Sequence, residues 1–331
     1  MSIHASQAPT AVVMVRPHAF HPNPETALDN RFQASAAGHN AAQIAAAARD
    51  EVSVAAATLA AAGITVHLFD DQGQRDTPDS VFPNNWFSTH SGGHIALYPM
   101  YSPNRRRERR SDVIELLKTR YRVQDVIDYS GLEADGLFLE GTGAMVLDHI
   151  DRVAYTARSN RASEVMLERF CTHFNYEPMV FSTAGTDGHP TYHTNVMMCI
   201  ATRFAMVGFD LFTDRARGQE IRQRLEESGR TVIALRNDQI ASFAGNAIEL
   251  TRQGPHLDGR RGRLLALSTT AAASLSDEQR ATITSFAELL PLSVPTIEMA
   301  GGSVRCMLAG VHLAKRPDQT APAKSENTAL V

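Results

Sequence analysis

The sequence predicts an α/β protein in which one strand–helix unit recurs along the chain. Five helix patterns start roughly every 50–65 residues of the 331-residue chain. Each is preceded by a pair of strand-like runs and followed by another, and such long-period repetition is typical of radial or stacked folds. A doubly wound sheet is disfavoured because Gly-x-Gly-x-x-Gly is absent. Five units closed around an axis would bring their connecting loops together at the centre.

The five helix patterns have clear start and stop signals. The first is rich in alanine, the best helix former, and ends at Gly63. The last starts at Ser276 and has Asp277 and Glu278 in its first turn, where carboxylates complement the helix dipole. The predicted helices cover residues 41–62, 106–120, 162–174, 214–229 and 276–289.

Short apolar runs bounded by turn residues predict the strands. Residues 1–9 are expected to be a loose leader, residues 10–315 a single α/β domain, and residues 316–331 a mobile polar tail. The predicted strands cover residues 11–15, 64–69, 78–90, 94–98, 123–127, 145–147, 153–156, 179–181, 196–201, 204–209, 231–235, 248–250 and 264–268.

The composition narrows the class of protein. Apolar residues make up 43% of the chain and charged residues 21%, which predicts a packed globule. The net charge of -4 argues against a nucleic-acid or anionic-membrane partner. Three cysteines without paired spacing suit a reducing compartment and disfavour disulfides or structural zinc. No secretory signal or membrane-spanning run is recognised, so we expect a cytoplasmic protein.

A glycine-rich stretch near the C-terminus contains the strongest candidate nucleophile. Gly301 and Gly302 permit backbone conformations closed to other residues, and Cys306 follows shortly after. Its neighbour Arg305 could lower the pKa of the thiol, which would make it a better nucleophile. The alternative is that Cys306 is a small buried hydrophobe, as most free cysteines are. This stretch by itself does not separate the two.

Polar residues inside apolar runs are further candidates. Asn84 and Asn85 lie in an apolar stretch where buried amides need partners, although Pro83 also favours a simple asparagine turn. Glu140 ends an apolar run and is either a site carboxylate or a strand-end residue above a glycine turn. His193 could shuttle protons or be structural; beside a cysteine and a carboxylate it would complete an activated thiol.

Several other features are assigned unspecialised roles. The basic run at residues 105–110 is interpreted as the start of a solvated helix face rather than a nucleic-acid patch. Cys171 and Cys199 are interpreted as core residues, and Trp86 as either core or a pocket wall. The thirteen histidines include no HExxH motif or zinc-type spacing, so no metal is expected.

The polar motifs occur in the order seen in the guanidine-modifying (amidinotransferase, or pentein) superfamily. The chain resembles its arginine deiminases and dimethylarginine dimethylaminohydrolases, and most of all its citrulline-utilisation hydrolase (citrulline ureidase) branch, over about residues 11–313. This resemblance implies a five-bladed pseudo-symmetric α/β propeller, the pentein fold, in agreement with the five helix patterns. The motifs are Asp79…Asn85, Leu139-Glu140-Gly141, Arg158-Ser159-Asn160, His193-Thr194-Asn195, Gly245-Asn246 and Gly301-Gly302…Cys306.

The resemblance also implies roles for individual residues. Cys306 would be the nucleophile and His193 the general acid/base, while Glu140 would hold the substrate nitrogens and support the histidine. Arg158 matches the arginine that pairs with the substrate carboxylate, although Arg161 is close enough to compete. The predicted substrate-binding residues are Asp79 near the α-amino end, Phe82, Asn84, Asn85, Arg158, Asn195, Asn246 near the substrate backbone, and Arg305.

Two departures from the family pattern bear on the substrate. Arginine-acting relatives have an aspartate where this chain has Asn85, and arginine deiminases have another where it has Asn195. Those carboxylates pair with the cationic guanidinium of the substrate. A neutral amide can both donate to and accept from a ureido group, whereas an ionised aspartate can only accept. The two asparagines therefore favour a ureido substrate such as citrulline.

The resemblance thus implies a cysteine hydrolase that converts citrulline to ornithine, ammonia and carbon dioxide without a cofactor. An arginine or methylarginine hydrolase on the same scaffold is the nearest alternative. A non-catalytic pentein that binds a macromolecule is disfavoured by the joint presence of Cys306, His193 and Glu140, and a papain-like enzyme by the late cysteine. The expected partner is a small amino-acid substrate rather than nucleic acid or a membrane, and a homo-oligomer is compatible with the sequence.

Overall fold

The structure, a computed structural model, describes residues 6–33, 40–185, 187–254 and 262–317. Apolar and β-branched residues suit the half-buried surface of a strand, and most of the predicted runs form one. The strands in these ranges are β1 (Ala11–Pro17), β2 (Thr65–Asp71), β3 (Phe87–His90), β4 (His94–Leu97), β5 (Asp125–Asp128), β6 (Met145–Asp148), β7 (Val153–Ala157), β8 (Glu177–Phe181), β9 (Met198–Ile200), β10 (Phe204–Val207), β11 (Thr231–Ala234), β12 (Ile248–Thr251), β13 (Arg263–Ser268), β14 (Glu288–Leu292) and β15 (Ala309–Gly310).

The strands form five three-stranded sheets, which confirms the five-bladed α/β propeller. In each sheet an inner strand pairs antiparallel with a middle strand, and the middle strand pairs parallel with an outer one, as in β6–β7–β8. Inner strands of neighbouring sheets are in contact: β15 with β3, and β9 with both β6 and β12. The inner strands therefore surround the centre of the ring.

The ring is closed by the two ends of the domain. The repeat predicts a strand pair ahead of every helix, but only β1 precedes the first one. The missing inner strand is β15, which pairs antiparallel with β1 so that Val13 lies opposite Ala309. β1 in turn pairs parallel with β2. The unit is thus repeated in space although it is interrupted in sequence.

The longer helices connect the middle and outer strands, because a parallel pair requires a crossover. Ser276 caps the helix Asp277–Phe286 as predicted, since its hydroxyl accepts a hydrogen bond from the backbone N–H of Gln279. Within the described ranges no helix is long and apolar enough to cross a membrane. The helices are α1 (Ala41–Ala61), α2 (Ser111–Arg120), α3 (Gly141–Ala144), α4 (Glu164–Phe174), α5 (Arg215–Glu227), α6 (Asn237–Ala241), α7 (Thr269–Ser274), α8 (Asp277–Phe286), α9 (Pro295–Glu298) and α10 (Val304–Met307).

The described part of the N-terminal segment is packed, so the expectation of a loose leader is wrong for it. Gln7 is buried, and its side-chain amide donates to the carbonyls of Leu147 and Ile200 on two neighbouring inner strands. Its amide oxygen accepts from the backbone N–H of His149. Buried amides are stable only when paired in this way. Of the predicted tail, residues 318–331 lie outside the described residues.

A short helical turn lies directly ahead of each inner strand. Residues 83–85, α3, residues 194–196 and α10 precede β3, β6, β9 and β15, and a turn at residues 242–245 precedes β12. Neighbouring turns approach so closely that only glycine fits at two positions. Gly141 has a φ of +45°, and a Cβ there would lie 2.4 Å from the carbonyl oxygen of Asn84. A Cβ on Gly143 would lie 2.9 Å from Nδ1 of His193.

Candidate active site

The five turns bring the predicted polar residues to one end of the ring. The turns or the residues next to them carry Asn85, Glu140, His193 and Asn246, and the fifth turn carries Cys306. All five side chains belong to buried residues. Each repeat therefore contributes one of these residues to the same central region, as a radial architecture requires.

His193 and Glu140 form a buried pair. Nε2 of His193 lies 2.7 Å from Oε2 of Glu140. Burial lowers the pKa of His193 to about 4, and the attraction of Glu140 only partly opposes this. The imidazole is therefore neutral near pH 7. Because its Nε2–H faces a carboxylate, its Nδ1 is left as the free acceptor.

Two arginines keep Glu140 ionised. Burial alone would raise the pKa of its carboxyl, but Arg161, His193 and Arg105 together hold it well below its ordinary value. Arg105 and Arg161 each place a guanidinium nitrogen 3.4 Å from Oε2 of Glu140. Its Oε1 accepts from the backbone N–H of Tyr101 at 3.0 Å. Protein groups alone therefore balance the negative charge of this carboxylate and satisfy its hydrogen bonds, without water.

Two asparagine amides face the sulfur of Cys306. Nδ2 of Asn246 lies 3.2 Å and Nδ2 of Asn195 3.3 Å from Sγ. Oδ1 of Asn246 accepts from the backbone N–H groups of Ser303 and Cys306, which fixes the orientation of its amide. Donors at this distance stabilise a thiolate more than a thiol.

A small cavity opens beside these groups. It has room for about one water molecule, about 10 Å³. Residues 23–33 cover it: Asn30 donates to the carbonyl of Ala300, and Asp29 pairs with Arg161. The lining residues are Asn30, Asp79, Phe82, Asn85, Arg105, Arg161, Tyr192, His193, Ala300, Gly302 and Cys306.

Asp79 presents an unused acceptor in this cavity. Its Oδ2 accepts from Nδ2 of Asn23 at 2.8 Å and lies 3.7 Å from Nε of Arg105. Its Oδ1 has no partner among the described residues although it is buried. Burial raises the pKa of this carboxyl despite the nearby arginine. A cationic donor, such as an ammonium group, could pair with this unpartnered oxygen.

Asn85 is tied to Arg105. Its hydrogen-bonding partners assign the amide so that the oxygen accepts from Arg105 at 3.0 and 3.1 Å and the nitrogen donates to Oδ1 of Asn84 at 3.0 Å. Asn84 lies behind Asn85 and is not part of the cavity wall. Phe82 lines the cavity, where its ring packs against Gly302.

Five predicted substrate-binding residues are not in the cavity wall: Asn84, Asn195 and Asn246, which contact wall residues, and Arg158 and Arg305. Arg158 is half exposed and pairs with Glu164 at 2.6 Å, so its assignment is corrected: of the two competing arginines, only Arg161 lines the cavity. Arg305 is also outside the wall, because its guanidinium turns to the carbonyl of Leu308. Adjacent residues in a turn point to different sides, so a neighbour in sequence need not share a site.

The most important residue missed by the sequence analysis is Arg105. The basic run predicts a solvated helix face, but Arg105 is buried between Glu108, Asp79 and Glu140. The basic run around it gave no signal, because the other arginines of the run are more exposed, as in the pair of Arg107 with Asp76. Tyr192 and Asn30 also line the cavity without having been assigned a role.

The family of the chain follows from a match over most of its length. The family model described as "N,N dimethylarginine dimethylhydrolase, eukaryotic" matches residues 16–313. The chain belongs to this family. Family members are pentein hydrolases, which agrees with the propeller and with the cysteine, histidine and glutamate gathered at its centre. No curated protein matches the chain by sequence.

Solved structures share the fold of this family member at low sequence identity. The apo structure of ArgZ, an arginine dihydrolase from the ornithine–ammonia cycle in Cyanobacteria, has a TM-score of 0.68 and 15% identity, with 93% of this chain and 41% of that chain covered. The N-terminal domain of ArgZ, as a cysteine-to-serine variant bound to substrate, has a TM-score of 0.66 and 15% identity, covering 91% and 97%. A dimethylarginine dimethylaminohydrolase variant in an adduct with S-methyl-L-thiocitrulline has a TM-score of 0.59 and 13% identity, covering 91% and 99%.

The chain therefore spans about 41% of the length of the full ArgZ chain but almost the whole of its N-terminal domain. At these identities the likeness establishes the fold and not the substrate. The two amides that contact Sγ of Cys306 and the two arginines of the same cavity are features of this chain.

The buried histidine predicts a pH dependence of stability. Between pH 6.5 and pH 4 the unfolded chain binds a proton on His193 that the folded chain does not, so the free energy of unfolding should fall as the pH is lowered through this window. The contribution of this group is at most about 3 kcal/mol. His193→Asn should reduce the loss, measured by urea denaturation at each pH, whereas His189→Asn at an exposed site should not. An unchanged pH profile in His193→Asn would contradict the assignment.

Proposed function

We propose that this protein hydrolyses the ureido group of citrulline, using Cys306 as nucleophile and yielding ornithine, ammonia and carbon dioxide. The observation that supports this most is the chemistry around Sγ of Cys306. Neutral amides contact it, and the buried carboxylate of Glu140 is already paired with two arginines. This environment suits a neutral head group that both donates and accepts hydrogen bonds.

A guanidinium would be poorly accommodated in the same place. Arg105 pairs with Glu108, Asp79 and Glu140, and it also donates to the Asn85 oxygen. A substrate guanidinium would therefore bring a further positive charge next to Arg105. It would also lack the two carboxylates that charge-assisted binding requires, each worth roughly 1.5–3 kcal/mol. A ureido carbonyl, in contrast, could accept from an amide or a guanidinium.

The remaining polar groups fit the amino-acid end of the substrate. The free Oδ1 of Asp79 can accept from the α-ammonium group. Arg161 lines the cavity and can pair with the α-carboxylate through its planar guanidinium in place of Asp29, whose carboxylate it holds in this structure. Citrulline therefore requires residues 23–33, which cover the cavity, to move aside. Phe82 supplies an apolar wall for the methylene chain.

The proposed mechanism starts with transfer of the Cys306 proton to Nδ1 of His193, whose Nε2–H is held by Glu140. The thiolate, stabilised by Asn195 and Asn246, attacks the ureido carbon, and donors around Sγ stabilise the resulting oxyanion. The C–N bond to the terminal nitrogen breaks as His193 protonates it, giving ammonia and a thiocarbamate on Cys306. Water activated by His193 then releases N-carboxy-ornithine, which loses carbon dioxide. Expulsion of ornithine first leads to the same products.

The substrate preference is the first test. Ammonia release and amino-acid products should be measured with citrulline, arginine, methylarginines and agmatine. The value of kcat/KM should be at least ~10²-fold higher for citrulline than for arginine, because a guanidinium loses two charge-assisted partners. Faster turnover of arginine or a methylarginine would instead favour the second candidate, a hydrolase with the substrate in the family's description, which the match over residues 16–313 supports.

The nucleophile is tested by Cys306→Ser. This variant should lose at least ~10³-fold in kcat, as removal of a covalent nucleophile usually does. Cys171→Ser is the matched control, since Cys171 is also buried but lies in α4, away from the cavity. Near-normal turnover in Cys306→Ser would exclude this nucleophile, and a wild-type protein that turns over none of the substrates would favour a non-catalytic binding protein.

The two competing arginines offer a matched pair. Arg161→Lys should raise KM for citrulline by about 10-fold or more, because lysine cannot reproduce bidentate pairing with a carboxylate. Arg158→Lys should leave KM within about twofold, because the exposed pair with Glu164 lies outside the cavity. Steady-state kinetics on both variants decides between them. A large effect of Arg158→Lys alone would restore the assignment made from the sequence.

A further inference from the structure

A second, larger cavity lies at the opposite end of the inner strands. The active-site turns precede these strands, whereas His90, His149 and His312 come at or just after the ends of β3, β6 and β15. The cavity has a volume of about 520 Å³. Its lining residues are Ser6, Ala8, Pro9, Thr10, Ser91, Gly92, Gly93, Arg122, Gln124, His149, Val311, His312, Leu313 and Ala314.

The lining of this cavity contains basic and neutral side chains but no acidic one among the described residues. The rings of His149 and His312 lie 3.9 Å apart between centroids. Within the described ranges the exposed Arg122 forms no ion pair, and neither does Arg305, whose guanidinium donates to the carbonyl of Leu308. Arg122 is solvated, but a largely buried cation without a counter-charge, such as Arg305, is unusual because proteins normally pair buried charges.

The charged groups around His149 and His312 are mainly positive. Arg305 and Arg152 add positive charge, and His90 lies 6.2 Å from His149 between ring centroids. Tyr176 contributes a neutral hydroxyl, 2.8 Å from Nδ1 of His149. The nearest acidic residue in sequence, Asp148, is already paired with Arg230 at 2.7 Å.

Burial and the neighbouring positive charges keep the two histidines neutral when nothing is bound. Burial, followed by the neighbouring positive charges, lowers the pKa of His312 to about 4 and that of His149 well below its ordinary value. A bound anion would reverse the electrostatic part of this effect. It would therefore be held most tightly by protonated histidines.

We propose that this cavity is a binding site for a small dianionic oxyanion, a phosphate-like or dicarboxylate group, contacted by Arg122, His149 and His312 with Arg305 behind them. The two arginines supply permanent charge, and the histidines supply charge that appears on binding. By linkage, an anion that raises the pKa of these histidines takes up protons as it binds, and its affinity rises as the pH falls. The site is separate from the Cys306 cavity and does not depend on the proposed reaction.

Inorganic sulfate and oxalate are suitable probes, because both keep two negative charges between pH 6 and pH 8. Titration calorimetry on the full chain, at constant ionic strength set with chloride, should show saturable one-site binding of at least one of them. The affinity should be at least ~3-fold higher at pH 6 than at pH 8, with proton uptake revealed by buffers of different ionisation enthalpy. Preference for sulfate indicates a phosphate-like ligand, and preference for oxalate a carboxylate. Absence of saturable binding by either anion would overturn the proposal.

Variants of arginines at and near the cavity distinguish anion binding at this site from a general effect of net charge on affinity. Arg122→Gln should weaken binding by about 5-fold or more, whereas Arg120→Gln, with the same charge change on a side chain outside the cavity, should leave it within about 1.5-fold. His149→Asn combined with His312→Asn should abolish proton uptake. Since Arg122 is exposed, its variant should fold even if the buried histidine variants do not. Equal effects of Arg122→Gln and Arg120→Gln would refute a specific site.

Discussion

The buried charge of Glu140 is the interaction on which the candidate active site depends. Its carboxylate is wholly inaccessible, yet it is ionised because His193, Arg105 and Arg161 surround one of its oxygens. Removing one partner from such a buried group typically costs about 3–5 kcal/mol. The same charge determines which nitrogen of His193 carries its proton and leaves Nδ1 as the acceptor. The contact between Glu140 and His193 therefore contributes to the charge balance of the site and also determines which nitrogen of His193 can accept a proton.

The partners of Glu140 come from different repeats, so the ring itself assembles the charge balance. His193 belongs to the turn ahead of β9, Arg161 to the segment after β7, and Arg105 to the turn before α2. Each turn must approach its neighbours closely, which is why Gly141 and Gly143 have no side chain at the contact. Closure through β15 and β1 holds the final turn, with Cys306, against the first. A site made in this way is complete only when all five units are in place.

The sequence predicted correctly those features that depend on local patterns of residues. Alternation of strands and helices indicated five units. The patterns around Glu140 and His193 left a structural role open, and only the resemblance to a known family singled them out as candidate site residues. Sequence reasoning failed where side-chain direction decided the outcome. Arg105 turns inward from a basic run, while Arg158 and Arg305 turn away from the cavity. These three arginines are chemically identical, so composition and spacing could not distinguish them. The packed segment around Gln7 was missed for a similar reason, because its partners are more than a hundred residues away.

The repeated α/β unit, the family and a candidate set of cysteine, histidine, glutamate and asparagine residues can be deduced from the amino-acid sequence. The folded chain is needed to see which arginines enter the cavity, that the two asparagines of the later turns face Sγ of Cys306, and that a basic cavity lies at the other end of the ring. The physical reason is that a local pattern specifies secondary structure and burial, whereas the partner of a buried charge is chosen by contacts between distant segments when the ring closes.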